Sequence, residues 1–351
     1  MTTAVAELTN IASHLARVAQ SQPESLAVAV ANADGSYTRL TCAELDALCD
    51  RAAHALRGLG VTKGTRTVLM VKPSVEFFAI TFALFRLGAI PVMVDPGMGT
   101  KNLGICLAEA RPTAFIGIPK AQIARRLFGW AKQTLQTSVV VGTRMFPADH
   151  SFAKAMKRVS DTSALPVAFP EPGETAAILF TSGSTGVPKG VVYTHETFQA
   201  QVRLLREVYG IEPGEVDLST FPLFALFGPA LGMASVVPLM DASRPASANP
   251  RDLARAIDDF SCTNVFASPA LVRLLGLHCQ ATGTRLQTVK RVLSAGAPAT
   301  PASLEGLGRF LPDGVEIFTP YGATEALPVS SIGSSSILAE TREQTEAGRG
   351  V

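Results

Sequence analysis

The stretch Phe180–Gly190, FTSGSTGVPKG, says more about the fold of this chain than any other. It contains four hydroxyl side chains, three glycines and Lys189, and it lies between the apolar segments Ala176–Phe180 and Val191–Tyr193. Hydroxyl and backbone N–H donors can converge on a polyanion, glycine allows the backbone to come close, and lysine neutralises phosphate oxygens. The stretch therefore predicts a phosphate-binding loop between two strands, although composition alone would also suit a solvated Ser/Gly hairpin loop.

This loop does not have the spacing of a Walker loop. Only two residues separate Gly186 from Lys189, and Gly190 follows the lysine where a Walker loop has serine or threonine. The next residues, Val191–Tyr193, favour a strand, whereas a Walker loop would begin a helix.

Strand and helix patterns alternate on both sides of the loop. Thr41 and Glu44 have the spacing of a capping box, and Ser74 precedes an apolar helix. Phe77–Val94 is interrupted by charged, glycine and proline residues, so it predicts a buried helix and a buried strand instead of a membrane span. Val315–Phe318 is predicted as a strand. Such alternation is typical of an α/β fold with mainly parallel sheets flanked by helices.

Composition narrows the class of protein. The chain has 351 residues with 47% hydrophobic and 17% charged residues, which suits an enzyme with more than one lobe. A net charge of +2, with both signs interleaved, predicts neither a nucleic-acid surface nor a polybasic membrane anchor. The five cysteines include no C-x-x-C pair, and the first ten residues, MTTAVAELTN, do not resemble a signal peptide. A cytoplasmic chain with reduced cysteines is expected.

Three motifs carry a family resemblance. TSGSTGVPKG resembles the phosphate-binding signature of the adenylate-forming enzymes, which include acyl-CoA synthetases, peptide-synthetase adenylation domains and luciferases. Ser294–Pro298 (SAGAP) and Thr319–Glu325 (TPYGATE) resemble two further signatures of that family, in the same order. Three ordered motifs are far more specific than one.

The resemblance implies a role for each motif residue. The residues expected to bind ATP are Thr181, Ser182, Gly183, Ser184, Thr185, Gly186, Lys189, Ala295, Gly296, Ala297, Pro298, Tyr321, Gly322 and Thr324. Within this set, Lys189 would hold the phosphates and Tyr321, in a loop after the preceding strand, would stack on adenine. Lys189, Thr324 and Glu325 are the expected catalytic residues, and Glu325 is the expected Mg²⁺ ligand. Taken singly, these residues would be a surface lysine, a rim aromatic and a solvated carboxylate.

The resemblance also implies a domain plan. Residues 1–351 would form a large AMP-binding domain, with a first lobe at about 10–175 and a second at about 176–330. Residues 331–351 would begin a third, β-barrel-like lobe that is incomplete here, and the small C-terminal domain of the family would follow Val351.

The segment Thr220–Gly232, TFPLFALFGPALG, narrows the resemblance within the family. Together with the three motifs it most closely resembles the β-lactone synthetases of the olefin pathway. Phe224, Ala225, Phe227 and Gly228 would then line a pocket for a hydrocarbon tail, although ordinary core packing would explain the same composition.

The implied reaction activates a long-chain 2-alkyl-3-hydroxy acid as an acyl adenylate and closes a β-lactone, with other olefin-pathway enzymes as partners. One alternative is a long-chain acyl-CoA or acyl-AMP ligase, which shares every phosphate motif. The second is a nucleotide-binding fragment that is inactive without the C-terminal domain.

Overall fold

The computed structural model describes residues 10–161, 163–171, 173–181, 188–347 and 349. The strands are β1 (Leu26–Ala31), β2 (Tyr37–Thr41), β3 (Arg66–Met70), β4 (Ile90–Val94), β5 (Ala114–Gly117), β6 (Thr137–Val140), β7 (His150–Ser151), β8 (Thr175–Thr181), β9 (Lys189–Thr194), β10 (Val216–Ser219), β11 (Ala234–Val237), β12 (Asn264–Ala267), β13 (Arg291–Ser294), β14 (Glu316–Ala323) and β15 (Ala326–Ile332).

The helices are α1 (Ile11–Ser21), α2 (Cys42–Arg57), α3 (Val75–Arg86), α4 (Thr100–Ala110), α5 (Pro119–Leu127), α6 (Phe152–Arg158), α7 (His195–Tyr209), α8 (Pro222–Ala225), α9 (Phe227–Leu231), α10 (Pro250–Asp259), α11 (Pro269–Thr282), α12 (Pro301–Gly308), α13 (Ser334–Ser336) and α14 (Arg342–Glu346). Short 3₁₀ turns occur at Pro96–Met98 and Pro245–Ser247, and a π-helical turn at Ile337–Thr341 joins α13 to α14.

The chain divides into two compact units. The first contains Thr41–Arg203 together with the chain up to Glu24, and the second contains Ser25–Leu40 together with the chain from Leu204 onward. Strands β8 and β9 belong to the sheet of the first unit. The expected lobes, at about 10–175 and about 176–330, stay a prediction.

The first unit is built on a seven-stranded sheet in the order β7-β6-β5-β3-β4-β8-β9. Its strands are parallel except for the antiparallel pair β8–β9. Helix α3 and strand β4 are largely buried, which confirms the prediction for Phe77–Val94. The Arg86 guanidinium at the end of α3 forms a buried ion pair with the carboxylates of Asp46 and Asp50 on α2. The capping box of Thr41 and Glu44 forms as predicted.

The second unit is built on an eight-stranded sheet in the order β15-β14-β13-β12-β10-β11-β1-β2. Strands β14, β13, β12, β10, β11 and β1 run parallel, and β15 pairs antiparallel with β14. Helices α10, α11 and α12 pack on this sheet through Leu253, Leu271 and Leu304, which are almost fully buried. The two sheets confirm the predicted α/β class with mainly parallel strands.

The last described residues differ from the expected start of a barrel-like lobe. After β15 the chain forms the helical turns α13 and α14 instead of further strands. Polar contacts explain the first of these turns, because the Ser334 hydroxyl donates to the Glu316 carboxylate (2.9 Å) and the Ser335 amide donates to the same oxygen (3.1 Å). A carboxylate at the beginning of a helical turn satisfies amides that otherwise lack acceptors. Among the helices described, none has the length and apolar character needed to cross a bilayer.

Candidate active site

The predicted phosphate loop joins β8 to β9, so two strands flank it as expected from the sequence. The strands pair antiparallel, with Thr181 opposite Lys189. The loop residues Ser182, Gly183, Ser184, Thr185 and Gly186 lie outside the described residues. Their role in holding phosphates stays a prediction.

Lys189 is exposed at the first position of β9, and a close contact beside it fixes its backbone. A Cβ atom added to Gly190 would lie 2.8 Å from Cζ of Phe180, whose ring is buried. The ring can therefore lie against the strand only because residue 190 is glycine. The strand pairing holds the backbone of Lys189 while its ammonium group remains in solvent.

The other two motifs lie at the carboxyl ends of neighbouring parallel strands of the second unit, β13 and β14. Strand registers place Ala267 of β12 beside Ser294 of β13, and Leu293 of β13 beside Phe318 of β14. Their carboxyl ends therefore meet at one edge of the sheet, which is where ligands bind in open α/β sheets. Thr181 and Lys189 belong to the first unit, and all the other predicted nucleotide-binding residues that the structure describes belong to the second.

The SAGAP motif forms a turn that leaves β13. The Ala295 amide donates to the Ala267 carbonyl (3.2 Å), which prolongs the pairing of β13 with β12 by one residue. Gly296 then adopts φ +97°, a conformation that L side chains rarely take, and an added Cβ would meet no atom within 4 Å. Gly296, Ala297 and Pro298 are exposed. The glycine is thus required by the backbone, and the space beside it is open.

The TPYGATE motif forms a hairpin. Strand β14 continues to Ala323, and the two-residue turn Thr324-Glu325 connects it to β15. The prediction of a loop at Tyr321 is wrong, because Tyr321 lies within β14 opposite Ser330. Cross-strand pairing overrides the loop-like local sequence, which contains proline and glycine.

The hairpin presents its functional candidates to solvent. Tyr321 is 72% exposed, Glu325 is exposed and Thr324 is half-buried. Gly322 lies at an irregularity in the pairing, and a Cβ there would lie 2.6 Å from the Ala326 carbonyl oxygen. Glycine at this position lets the two strands come close enough to hold the turn in place.

Buried polar groups at the same sheet edge were missed by the sequence analysis. The hydroxyl oxygens of Ser268 and Ser294, at the ends of β12 and β13, have no hydrogen-bond partner among the described residues. Away from that edge, beside Asn264 at the amino end of β12, Asp217 of β10 accepts hydrogen bonds from the Ser219 hydroxyl and the Asn264 amide. Burial raises the pKa of the Asp217 carboxyl to about 6. A small polar residue immediately after an apolar strand was the available signal for the two serines.

The predicted substrate segment is packed within the second unit. The Phe224 ring stacks on Phe266 with centroids 4.0 Å apart, and Ala225 is almost fully buried. A Cβ on Gly228 would lie 2.1 Å from the Ser235 hydroxyl oxygen. Ala225 and Gly228 therefore pack in the core, which is the alternative explanation of this segment given above. A pocket lined by Phe224, Ala225, Phe227 and Gly228 stays a prediction.

The structure also contains a groove of about 340 Å³ in the first unit, between α2, β7 and α6. Its lining includes His54, Arg144, His150, Lys154 and Arg158. None of its lining residues belongs to the predicted nucleotide or substrate site.

Glu325 can contribute a single carboxylate to a magnesium site. Among the described residues, no group of three or more His, Cys, Asp or Glu side chains could together hold a metal ion. Mg²⁺ in nucleotide enzymes is usually bound by one or two carboxylates, by substrate phosphates and by water. An exposed carboxylate in a turn fits that mode of binding, in which the nucleotide supplies most of the remaining oxygens.

Comparison with known proteins agrees with the fold and the motifs. Residues 15–350 match the family described as AMP-binding enzyme. The olefin beta-lactone synthetase of Xanthomonas campestris pv. campestris is 47% identical over 98% of this chain and 62% of its own length. The protein of the same name from Stenotrophomonas maltophilia is 47% identical over 97% of this chain and 62% of its own length.

A solved structure confirms the fold. The inhibitor-bound N-terminal domain of FACL13 from Mycobacterium tuberculosis superposes with a TM-score of 0.77 at 20% sequence identity, covering 94% of this chain and 80% of that domain. At this identity the likeness extends to the fold alone. The chain spans 62% of the length of the two curated relatives that it matches at 47% identity.

Proposed function

Because this chain belongs to the AMP-binding enzyme family, we propose that it takes part in the ATP-dependent activation of a carboxylic acid. The observation that carries the proposal is the 47% identity, over 97–98% of the chain, to two proteins named olefin beta-lactone synthetase. The substrate on this basis is a long-chain 2-alkyl-3-hydroxy acid and the product is a β-lactone. Conservation of nearly half of all residues along almost the full chain supports a shared reaction better than the phosphate motifs, which many ligases have.

The reaction has two steps. A substrate carboxylate oxygen attacks the α-phosphorus of ATP, and pyrophosphate leaves. The 3-hydroxyl oxygen of the resulting acyl adenylate then attacks the acyl carbon, loses its proton and expels AMP, which closes the four-membered ring. Because nucleophile and electrophile belong to one molecule, positioning alone supplies much of the acceleration in the second step.

The first step brings two anions together, so its site requires cations and fixed donors. In the proposal, the β8–β9 loop and the exposed Lys189 bind the β- and γ-phosphates. The turn residue Thr324 contacts the α-phosphate, and Glu325 holds Mg²⁺. When bound, Mg²⁺ neutralises charge that develops on the phosphate oxygens. Tyr321 offers an exposed ring for stacking on adenine, and the open space beside Gly296 leaves room for the base.

The acyl chain is assigned to the apolar segment around helices α8 and α9. Phe221 is 46% exposed and its ring lies 6.2 Å from that of Phe266, which is buried under Phe224. This aromatic group is the part of the segment that a hydrocarbon could reach without displacing Ala225 or Gly228. Burial of each methylene would contribute roughly 0.8 kcal/mol.

A product assay tests the proposal. A synthetic long-chain 2-alkyl-3-hydroxy acid is incubated with Mg-ATP, with and without CoA, and the organic product is identified by mass spectrometry. Because the chain spans 62% of the length of the two relatives named above, the chain and a version extended to their full length are assayed in parallel. Formation of AMP together with a product lighter by one water, independent of CoA, is expected.

A CoA thioester, or organic product only with CoA present, would instead identify a long-chain acyl-CoA ligase. Accumulation of acyl adenylate without lactone would identify an acyl-AMP ligase. If nucleotide binds but neither version catalyses ATP–pyrophosphate exchange, the chain would be identified as a nucleotide-binding protein without this activity. Lys189→Ala should lower ATP–pyrophosphate exchange at least about ten-fold, since it removes a phosphate-neutralising charge, whereas the exposed Lys101→Ala should not.

A further inference from the structure

One face of helix α5 exposes large apolar side chains. Ile123 and Leu127 are spaced by four residues and therefore share a face, on which they are 40% and 74% exposed. Phe128, directly after the helix, is 49% exposed. Single exposed apolar residues are common, but three in one short segment form a contiguous patch that indicates an interaction surface. We call Ile123, Leu127 and Phe128 the α5 ridge.

The opposite face of α5 is fixed to the body of the first unit. Gln122 is buried and donates a 2.9 Å hydrogen bond to the Val139 carbonyl. Arg125 donates to the Gln122 side-chain oxygen (3.1 Å) and to the Ser138 hydroxyl (3.3 Å). These bonds hold the helix in one rotation about its axis, so the ridge cannot turn inward.

The Phe128 ring packs against Trp130, the one tryptophan of the chain. The rings of Phe128 and Trp130 stack with centroids 5.6 Å apart at an interplanar angle of 25°. Trp130 is buried, and a Cβ added to Gly104 of α4 would lie 3.5 Å from its ring. The exposed phenyl ring therefore rests on a buried, immobilised support, and little side-chain entropy is lost when it meets a partner.

The stretch of sequence that contains the ridge is rich in basic residues. Residues 110–148 contain six basic residues and no aspartate or glutamate, although the whole chain carries only +2. These basic residues are Arg111, Lys120, Arg125, Arg126, Lys132 and Arg144. Arg125 and Arg126 both form ion pairs with the buried Asp149 (3.6 and 2.6 Å). Lys120, on the same helix face as the ridge, and Lys132, in the turn after it, are exposed and form no ion pair among the described residues.

From these features we propose that the α5 ridge binds the surface of an anionic phospholipid bilayer. Leu127 and Phe128 enter the boundary between headgroups and acyl chains, and Lys120 and Lys132 contact the lipid phosphates. Leucine and phenylalanine flanked by lysine are typical of interfacial helices. Interfaces between proteins, in contrast, are depleted in lysine, which favours a lipid surface over an acidic protein. The overall charge balance conceals this local surplus, so the sequence analysis predicted no such anchor.

The proposal rests on the surface of the first unit alone and on none of the chemistry assigned to the active site. Trp130 makes it directly measurable, because it is the one tryptophan of the chain and lies under the ridge. The unmodified chain is titrated with vesicles of phosphatidylcholine and phosphatidylglycerol that carry brominated acyl chains. Quenching of Trp130 fluorescence by these vesicles is expected, with none from phosphatidylcholine alone and partial reversal at high salt.

Variants then locate the surface. Co-sedimentation with the anionic vesicles should fall about five-fold for each lysine removed in Lys120→Gln and Lys132→Gln. The pair Leu127→Ser and Phe128→Ser should lower it at least about ten-fold. The matched control is Arg273→Gln with Leu277→Ser, an exposed basic–apolar pair on α11 of the second unit, which should bind as the wild type does.

Absence of quenching and of co-sedimentation in the unmodified chain would overturn the proposal without reference to any variant. Equal binding by the ridge variants and the wild type would also overturn it. Binding of soluble polyglutamate in place of the vesicles would assign the surface to an acidic protein.

Discussion

Asp217 and Asn264 face each other across the parallel strands β10 and β12, and the Asn264 amide donates to the Asp217 carboxylate in the fully buried interior of the sheet. Burial raises the pKa of Asp217 from 3.8 to about 6, and the hydrogen bonds from Ser219 and Asn264 lower it only in part. The fold thus favours the neutral form of this carboxyl more strongly than water does, and the group ionises only above about pH 6.

This pair predicts a pH dependence of stability. Because the folded-state pKa of Asp217 exceeds the unfolded value, its contribution is complete below about pH 4 and is lost as pH rises through about pH 6. Asp217→Asn, which is neutral and of equal size, should remove this loss and raise the free energy of unfolding above pH 7 by as much as about 3 kcal/mol. Urea unfolding of both proteins from about pH 5 to about pH 8 measures it. A variant with the wild-type pH slope would contradict the assignment.

The buried ion pair of Arg86 predicts a large loss of folding stability when the guanidinium of this side chain is removed. Arg86→Met removes the guanidinium and leaves the carboxylates of Asp46 and Asp50 without their cation. We expect destabilisation by about 3–5 kcal/mol. Arg309→Met is the matched control, because it breaks an exposed 2.9 Å pair with Glu305 one helical turn away. That change should cost less than about 1 kcal/mol, and equal losses in the two variants would show that burial of the Arg86 pair has no effect.

The close packing around Gly228 predicts that a larger side chain at this position destabilises the fold. Gly228→Ala places a methyl group 2.1 Å from the Ser235 hydroxyl oxygen, which itself donates a 2.8 Å hydrogen bond to the Ala225 carbonyl. We expect a loss of about 1–3 kcal/mol, partly relieved by the second change Ser235→Gly. Gly306→Ala is the control in α12, where an added Cβ meets no atom within 4 Å. That substitution should be neutral or stabilising by up to about 1 kcal/mol, and thermal denaturation distinguishes the two.

Tyr321 predicts an effect on nucleotide affinity that is separate from stability. Its ring is 72% exposed, so Tyr321→Ala should leave the unfolding temperature unchanged. If the ring stacks on adenine, the dissociation constant for ATP should rise about five- to fifty-fold, whereas Tyr321→Phe should bind as the wild type does. Calorimetric titration with ATP provides the values. Unchanged affinity in the alanine variant would remove Tyr321 from the site.

Local signals in the sequence predicted the elements well, because their causes are local. The hydroxyl of Thr41 and the carboxylate of Glu44 cap α2 within four residues of chain, and the apolar run that follows Ser74 is buried as α3. The strands on either side of the phosphate loop were predicted for the same reason. Each apolar run is long enough to form several consecutive residue pairs between β8 and β9.

Features that depend on distant pairing were not predictable in this way. The sequence around Tyr321 contains Pro320 and Gly322 and suggests a loop, yet pairing with β15 extends β14 through it. Likewise, no periodicity in Leu26–Ala31 indicates that this strand pairs with β11. Hydrophobic pattern defines a strand but not its partner. The hydroxyls of Ser268 and Ser294, which have no partner within the described part of the chain, were missed because burial of single polar atoms is a property of the packed sheet.

The membership of β1 in the second sheet has a consequence for the order of events on the ribosome. Val28 of β1 pairs with Ser235 of β11, which is translated roughly 200 residues later. At bacterial or eukaryotic rates of synthesis that interval lasts roughly 10–40 seconds. During it β1 can pair with β2 on one side, while its other edge lacks β11. A newborn chain therefore exposes one edge of Leu26–Ala31 for most of its synthesis, and a holdase that recognises short apolar segments can bind that edge before β11 is made.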